Sequence, residues 1–324
     1  MLYGRFYLFP LGHPPPKARP MTARPAPADT PIAGILYRIA SVIMFGFMWA
    51  AMKLAGENGA KAIEMVFYRG LFGLPIVLAW IAAGPGLATI RPRRPMAHVW
   101  RSAIGLTSIV LNFTGLIMLP LADATTIGFT APIFATILSA MLLREHVGPH
   151  RWTAVVVGFI GVVVITRPGG SASLPAIGIV VALLGALGTT GVQITLRQLG
   201  ATESTGSIVF WFFIGCTVAG GIGTAIWGQM HDAATFGLLL IGAGSGAAGQ
   251  ILMTASLRAA PVGTVAPFDY LQILIAIALG WLIWSTAPPL ATIAGAALIA
   301  GSGLYTAYRE HRLRRESVAA TPQG

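Results

Sequence analysis

Ten apolar runs, separated by short polar or proline-containing segments, fill most of the chain. They cover residues 32–54, 62–83, 99–119, 124–143, 152–165, 174–196, 207–227, 236–257, 262–284 and 289–306, of which the fifth is the shortest. Runs of roughly 18–24 residues are long enough to cross about 30 Å of hydrocarbon as helices. Because backbone groups in lipid must pair within their own segment, the pattern predicts an all-α membrane protein with ten transmembrane helices.

The ten runs form two similar units of five. Residues 122–149 and 260–288, about 139 residues apart, both open with small residues, cross an apolar helix and reach a polar corner before a proline. Since five is an odd number, two consecutive copies must enter the membrane in opposite orientations. We therefore predict an inverted 5+5 repeat, with a first five-helix unit at 32–167, a second at 174–308 and cytoplasmic tails at 1–31 and 309–324.

The composition excludes a soluble globule. Hydrophobic residues make up 55% of the chain and charged residues only 10%, with a mean hydropathy of +0.76. A soluble protein of this length needs more polar surface than that. The lipid bilayer is thus the first predicted partner. The single cysteine, Cys216, lies inside the seventh run and is predicted to be a packing residue.

The net charge of +11 follows the pattern of a membrane protein, and we predict no nucleic-acid partner. Sixteen of the 21 Lys and Arg residues fall on the side that an even number of spans assigns to both termini. They are Arg5, Lys17, Arg19, Arg24, Arg91, Arg93, Arg94, Arg101, Arg144, Arg151, Arg197, Arg258, Arg309, Arg312, Arg314 and Arg315. Lys53, Lys61 and Arg167 remain near the opposite surface. This positive-inside bias predicts cytoplasmic termini in a plasma membrane of the bacterial inner type.

The first tail is rich in Pro and Arg and lacks the apolar core and cleavage site of a signal peptide, which favours a disordered segment. Met21 is an alternative start to Met1. In the eighth run, Gly242 and Gly246 lie four residues apart with Gly249 near the same face, a spacing typical of closely packed membrane helices.

Several stretches together resemble one family. They are MVFYRGLFGLP, RSAIGLTSIVLNFTGLIMLPLADATTIGFTAPIFATILSAMLLRE and VVVGFIGVVVITRPG in the first half, and APFDYLQILIAIALGWLIW in the second. In order and spacing, residues 32–308 resemble the EamA branch of the drug/metabolite transporter superfamily. That resemblance implies ten helices in an inverted repeat, cytoplasmic termini and a central substrate cavity. The APFDYLQ stretch is also similar to carriers for S-adenosylmethionine uptake.

The chain departs from that family at one corner. Members often carry a Gly-Glu pair after the fourth and ninth spans, where this chain has Arg144-Glu145 and Trp284-Ser285. The second corner has therefore lost its acid. We interpret Glu145 as part of a structural ion pair on the cytoplasmic side.

Ionisable residues inside apolar runs are expensive and become candidates for binding or coupling. Arg69 is predicted either to bind an anionic group of a substrate or to serve as a structural cation. Glu64, on the same helix, diverges from it by roughly 140° and is expected to find another partner. Asp269 follows Pro267, which tends to open a helix, and is a candidate to bind a cation or carry a proton.

Uncharged polar and aromatic residues on different spans complete the predicted pocket. They are Asn112, Gln193, Gln250, Gln272, Trp49, Trp211 and Tyr270. An amide facing lipid without a partner is costly, so these side chains are predicted to point inward. Hydrogen bonding between helices explains each one singly. As a set they suit a small organic metabolite.

We therefore predict a secondary transporter that moves a small organic metabolite or drug-like solute by alternating access, coupled to protons or to a counter-substrate. The alternatives are an S-adenosylmethionine-type carrier, a non-transporting membrane adaptor and an intramembrane enzyme. Against an enzyme, the sequence contains no HExxH, CxxC or nucleotide-binding glycine motif, and Asp269 has no acidic partner at similar depth. No catalytic residue, metal, cofactor or oligomeric state is predicted.

Overall fold

The computed structural model describes residues 31–142, 148–167, 174–200, 202–260 and 262–319. Over these ranges the chain is all-helical, with 87% of residues in helix and no strand. The helices are α1 (Pro31–Glu57), α2 (Ala62–Ala83), α3 (Pro95–Met118), α4 (Leu121–Gly128), α5 (Ala131–Leu142), α6 (Pro149–Thr166), α7 (Ala176–Gly200), α8 (Thr205–Trp227), α9 (Ala233–Ala259), α10 (Val262–Val265), α11 (Leu271–Trp284) and α12 (Leu290–Ala319). Two 3-10 turns lie at Leu87–Ile90 and Ala266–Tyr270.

The predicted apolar runs correspond to the helices. Within the described ranges, eight segments are long and apolar enough to cross a membrane, and two shorter apolar helices, Trp152–Thr166 and Leu290–Thr306, accompany them. The all-α membrane class is therefore confirmed. The inverted arrangement of the two units stays a prediction. The corner residues Arg144 and Glu145 and nearly all of the first tail lie outside the described residues, whereas α12 continues beyond its apolar part to Ala319.

Two predicted spans are interrupted midway. The fourth is divided between α4 and α5 at Phe129, just before Pro132, and the ninth passes through the 3-10 turn that contains Pro267. A proline inside a helix lacks the backbone N–H and crowds the carbonyl four residues before it, which weakens the α-helical ladder and favours a break or a tighter turn at that point. The opening predicted at Pro267 is confirmed.

The closest helix pair is formed by α1 and α9, which meet along the predicted glycine face. A Cβ atom added at Gly242 would lie 2.7 Å from Met52 Cε, and one at Gly246 would lie 2.6 Å from Met48 Sδ. Both separations are shorter than ordinary van der Waals contact, so an alanine at either position would force the methionine side chain to shift. Lipid supplies no hydrophobic drive between helices, and such close packing is what stabilises their association.

Glu64 ties together one end of the bundle. Its side chain is fully buried at the start of α2, where Oε2 accepts from Lys61 N at 2.8 Å. Its Oε1 accepts from Gln229 N at 3.0 Å and lies 2.9 Å from His231 Nε2, both between α8 and α9. These contacts join the first turn of α2 to the loop that connects two other helices.

Candidate functional site

A cavity of about 990 Å³ lies among α1, α3, α4, α5, α7, α9, α12 and the interrupted ninth span. It draws side chains from both predicted units. Its polar and aromatic lining includes Arg38, Asn112, Gln193, Asp269, Tyr270 and Gln272. Its size is that of a pocket for a small organic ligand.

An ion pair crosses one wall of this cavity. Arg38 of α1 donates from Nε and Nη2 to the two carboxylate oxygens of Asp269, which is a bidentate arrangement. The Arg38 side chain is 11% exposed and that of Asp269 is 33% exposed, so the carboxylate is the wetter partner. Arg38 Nη1 is buried and has no hydrogen-bond partner among the described residues. The pair places a compact charged group, with one unused donor, beside the cavity.

The 3-10 turn explains where Asp269 points. Pro267 ends the short helix α10 and α11 does not begin until Leu271, so Asp269 and Tyr270 project from a non-α segment. Tyr270 packs on Phe129 with ring centroids 5.1 Å apart. Because Phe129 occupies the break between α4 and α5, the two interrupted spans contact each other at the cavity.

A second wall is made of amide and hydroxyl groups between α3 and α7. Asn112 Nδ2 donates to Ser108 O at 2.8 Å and to Gly185 O and Thr189 Oγ1, each at 3.3 Å. Ser108 Oγ also donates to Gly185 O at 3.2 Å. These bonds fix the Asn112 side chain by its nitrogen, as the helix-pairing interpretation predicts, while the residue still lines the cavity.

Gln272 links the ninth span to α1. With its amide oriented so that both polar atoms are satisfied, its nitrogen donates to Val42 O at 2.9 Å and its oxygen accepts from Gly46 N at 3.2 Å. The side chain is buried and lines the cavity. This residue therefore holds the segment after Asp269 against the helix that carries Arg38.

The predicted site residues divide into two groups. Six of them line the cavity together: Trp49, Asn112, Gln193, Asp269, Tyr270 and Gln272. The other four, Arg69, Glu64, Gln250 and Trp211, are not among its lining residues.

Each member of the second group has its own setting. Glu64 belongs to the end contacts described above, and Trp211 Nε1 donates to Ile90 O at 3.0 Å in the turn before α3. Gln250 lies on α9, one residue after Gly249, whose Cβ would come within 3.0 Å of Phe45 Cδ1. Arg69 is buried beside the aromatic rings of Phe212 and Phe213 on α8.

The sequence interpretation missed two arginines. Arg38 lies inside the first apolar run and is not among the predicted site residues, although a charge in an apolar run is itself the signal for a buried partner. Arg101 was counted with the cytoplasmic charges, yet its side chain is only 7% exposed and packs on Phe212. Lys53 is likewise buried, and its Nζ donates to Leu119 O at 2.9 Å.

The described residues contain no group of three or more His, Cys, Asp or Glu side chains placed to hold a metal ion. The chemistry that this arrangement offers is binding through charge, amides and aromatic faces.

Comparisons with known proteins give a family and several named relatives. Residues 32–167 match the model of the EamA-like transporter family. The riboflavin transporter of Rhizobium johnstonii is 29% identical over 88% of this chain and 91% of its own length. The pseudopaline exporter CntI of Pseudomonas aeruginosa is 30% identical over 82% of this chain and 93% of its own length.

A further relative is named for a different solute, and one solved structure has a similar fold. The S-adenosylmethionine uptake transporter of Rickettsia bellii is 25% identical over 79% of this chain and 87% of its own length. A protein of known crystal structure superimposes with a TM-score of 0.59 at 19% identity, covering 87% of this chain and 99% of the other. This likeness shows a common fold.

Proposed function

Since the chain belongs to the EamA-like transporter family and is a membrane transporter of a small solute, we propose that it works by alternating access around the cavity that Arg38 and Asp269 line. The observation that carries this proposal is the placement of a bidentate ion pair beside a cavity of about 990 Å³ that both five-helix units build. A secondary transporter binds its solute near the interface between its repeats and exposes that site to each side in turn.

We propose that the two units, residues 32–167 and 174–308, are inverted repeats. The pattern of helix contacts supports this. In such a repeat, α1 corresponds to α7 and α3 corresponds to α9. On exchange of the two units, the α1–α9 contact then corresponds to the α7–α3 contact, and both are among the most extensive in the bundle. The same exchange turns α2–α9 into α8–α3 and α1–α11 into α7 against the fourth span, and all of these contacts occur. The α2–α8 and α6–α12 contacts map onto themselves.

The same proposal gives the orientation. The excess of Lys and Arg on the side of both termini favours cytoplasmic termini in an inner membrane. A reporter test follows directly: a tag after residue 324 and one in the loop that contains Gly59 should be accessible from opposite sides of a sealed cell. Labelling of both tags from the same side would contradict the orientation.

For the solute, we propose a small organic metabolite with polar groups and an aromatic or other flat part. Tyr270 and Phe129 offer aromatic faces, Asn112 and Gln193 offer amides, and the Arg38–Asp269 pair offers one donor and a partly wet carboxylate. The relatives named as carriers of riboflavin and pseudopaline support this class. An S-adenosylmethionine-type carrier is the alternative, supported by the Rickettsia relatives.

For coupling, we propose that Asp269 carries a proton or yields Arg38 to a counter-substrate during the cycle. A carboxylate held by a single arginine beside a partly wet cavity can exchange that partner for a bound group. Glu64 is a weaker candidate because its oxygens already accept bonds from backbone and His231.

The test uses the full chain in proteoliposomes of known orientation. Riboflavin, S-adenosylmethionine and a panel of metabolites are offered at one side, with and without a pH gradient, and the recovered solute is analysed chemically. We expect saturable flux of an unchanged solute, and loss of its proton dependence in Asp269→Asn. Asp232→Asn is the matched control, because it removes a carboxylate from a loop and keeps a side chain that can cap α9.

The other outcomes separate the alternatives. A chemically altered product would indicate an enzyme, and absence of flux for every solute and both orientations would favour an adaptor. If Asp269→Asn and Glu64→Gln both retain the full proton dependence of the wild type, the coupling proposal is wrong while the transport proposal stands.

A further inference from the structure

Two buried arginines from consecutive spans meet at one aromatic ring, away from the cavity described above. Arg69 of α2 has Cζ 5.8 Å from the Phe212 ring centroid, and Arg101 of α3 has Cζ 4.5 Å from the same centroid, so the two carbons are at most 10.3 Å apart. The side chains are 6% and 7% exposed. Arg69 lies about 10 Å from the start of α2, and Arg101 about 9 Å from the start of α3. Because consecutive spans run in opposite directions, the two side chains approach Phe212 from opposite ends of the bundle.

Part of the hydrogen-bonding capacity of each arginine is unfilled. Arg69 Nε and both Nε and Nη1 of Arg101 are buried without a hydrogen-bond partner in the described ranges. The fork of a guanidinium suits planar oxyanions such as carboxylate and phosphate. A buried N–H donor without an acceptor destabilises the folded protein, and buried polar groups normally have hydrogen-bond partners.

No acidic side chain of the described region neutralises the pair. Glu57 contacts Lys53 and Trp284, Glu64 contacts His231, Asp123 accepts from Thr292, Glu203 contacts His98 and the backbone of Arg93 and Arg94, Asp232 caps α9, and Asp269 is held by Arg38. The six Asp and Glu residues whose side chains the structure describes are therefore engaged elsewhere.

The remaining contacts do not balance the cost of burial. Arg101 packs on Phe212, and Arg69 lies 5.3 Å from the Phe213 centroid as well. A cation–π contact returns only a small part of the free energy that is needed to remove a charged group from water. Two uncompensated cations of the same sign, held close together, point to an anion that completes the site.

We propose that Arg69 and Arg101 form an oxyanion-binding site between α2, α3 and α8, which takes a carboxylate or phosphate group. This inference rests on the proposed function, because it specifies the substrate class: an organic solute with an anionic substituent, or an inorganic oxyanion exchanged for it. The site is distinct from the Arg38–Asp269 pair, whose arginine already has a carboxylate. Both guanidinium groups lie against the ring of Phe212.

The first test is binding by the purified full-length chain. Inorganic phosphate is added at constant ionic strength, with chloride as the comparison, and the unfolding midpoint is followed by tryptophan fluorescence. Phosphate should raise the midpoint of the wild type beyond the effect of chloride. Arg69→Met and Arg101→Met should each weaken phosphate binding by at least about tenfold. Arg91→Met removes an exposed arginine from the loop before α3 and should leave the affinity unchanged.

A second readout needs no ligand. Without oxyanions, Arg69→Met and Arg101→Met should unfold at a higher temperature than the wild type, since each removes an unpaired buried charge and keeps a side chain of similar size. If the two arginines have a purely structural role, Arg69→Met and Arg101→Met should unfold at a lower temperature than the wild type. In that case phosphate should also shift the unfolding midpoint of Arg69→Lys by the same amount as that of the wild type. Either of these results would overturn the assignment.

The source of the anion is decided by a pair of solutes that share a ring system. Riboflavin 5′-phosphate and riboflavin differ only in the phosphate group, and flux of both is measured in the same proteoliposomes. Preference for the phosphate ester that disappears in Arg101→Met supports a substituent on the solute. Stimulation of riboflavin flux by phosphate on the opposite side supports an exchanged inorganic anion. If the wild type does not bind phosphate and flux persists in Arg69→Met and Arg101→Met, the oxyanion site is wrong and the transport proposal stands. If phosphate binds but no solute is transported, the transport proposal is wrong and the oxyanion site stands.

Discussion

Removing the two members of the Arg38–Asp269 pair separately and together should reveal strong coupling between them. Arg38→Met leaves Asp269 unpaired, but the carboxylate is 33% exposed and the cavity can hydrate it. Asp269→Asn leaves an arginine that is only 11% exposed. Breaking a buried pair by removing one partner costs about 3–5 kcal/mol, and exposure to water reduces that figure. We therefore expect a loss in unfolding free energy of about 2 kcal/mol for Arg38→Met and about 3 kcal/mol for Asp269→Asn.

The double variant should lose only about 2 kcal/mol, because it leaves no unpaired charge, which gives a coupling energy of about 3 kcal/mol. Unfolding free energies are measured by titrating dodecyl sulfate into mixed micelles and following tryptophan fluorescence. Lys53→Met and Glu57→Gln form the control cycle. These side chains are also paired, at 3.2 Å, but Glu57 is 38% exposed and Lys53 Nζ also bonds to backbone carbonyls. Their coupling should be about 0.5 kcal/mol.

The reasoning is refuted if the losses of Arg38→Met and Asp269→Asn simply add in the double variant to within about 0.5 kcal/mol. It is also refuted if Arg38→Met is the more damaging single change. Asp269→Asn should be the more damaging one, because it leaves Arg38 unpaired and Arg38 is more deeply buried than Asp269.

Three further changes probe helix packing and the ends of the bundle. Gly220→Ala should lower the unfolding free energy by about 1–3 kcal/mol, since its Cβ would lie 2.8 Å from backbone atoms of α2. Gly237→Ala, where a Cβ meets nothing within 4 Å, should be neutral or stabilising. Equal effects of the two changes in an unfolding titration would contradict this. Glu64→Gln should lower the unfolding free energy by about 2–3 kcal/mol, because an amide oxygen cannot replace both carboxylate oxygens; a loss below about 0.5 kcal/mol would count against the clamp. Hydrogen bonds from Thr235 hold the pKa of Asp232 below its ordinary value, so its contribution to stability is complete above that ordinary value and is lost as pH falls through the lowered one. Asp232→Asn should remove that acid-dependent component from a melting series, and an unchanged pH profile would contradict the assignment.

The helices can be predicted from the sequence because an apolar run must have a certain length to cross the hydrocarbon layer of a membrane. Each of the ten runs corresponds to helix, and the opening at Pro267 was expected from its missing donor. The break at Phe129 was not predicted, although Pro132 carries the same chemical signal three residues later. An apolar run long enough to span a membrane hides such a break, because hydropathy does not respond to backbone geometry.

The ion pair could not be predicted in the same way. Arg38 and Asp269 are separated by 231 positions, and their meeting depends on how α1 packs against the second unit. A sequence gives the depth of a residue along its helix, but the direction in which it faces depends on neighbouring helices. Arg101 shows the limit most clearly. The sequence places it near the start of α3, which the structure also shows, yet it turns toward Phe212 instead of the surface because α8 lies on that side.

One face of α3 connects the two polar regions. Arg101, Gly105, Ser108 and Asn112 follow one another at spacings of four, three and four residues, which keeps them within about 60° of one another around the helix. Arg101 stands at one end of this face and Asn112 at the cavity, about 16 Å away along the axis. Gly105 is needed between them because a Cβ there would lie 2.8 Å from Phe212 Cε2 and would overlap the Arg101 side chain. A helix that packed on its neighbours by hydrophobic contact alone would carry no such stripe. Because Ser108 and Asn112 use this face to bond Gly185 and Thr189 of α7, while Arg101 uses it to contact Phe212 of α8, the same stripe of α3 joins two helices and reaches from the buried arginines to the cavity.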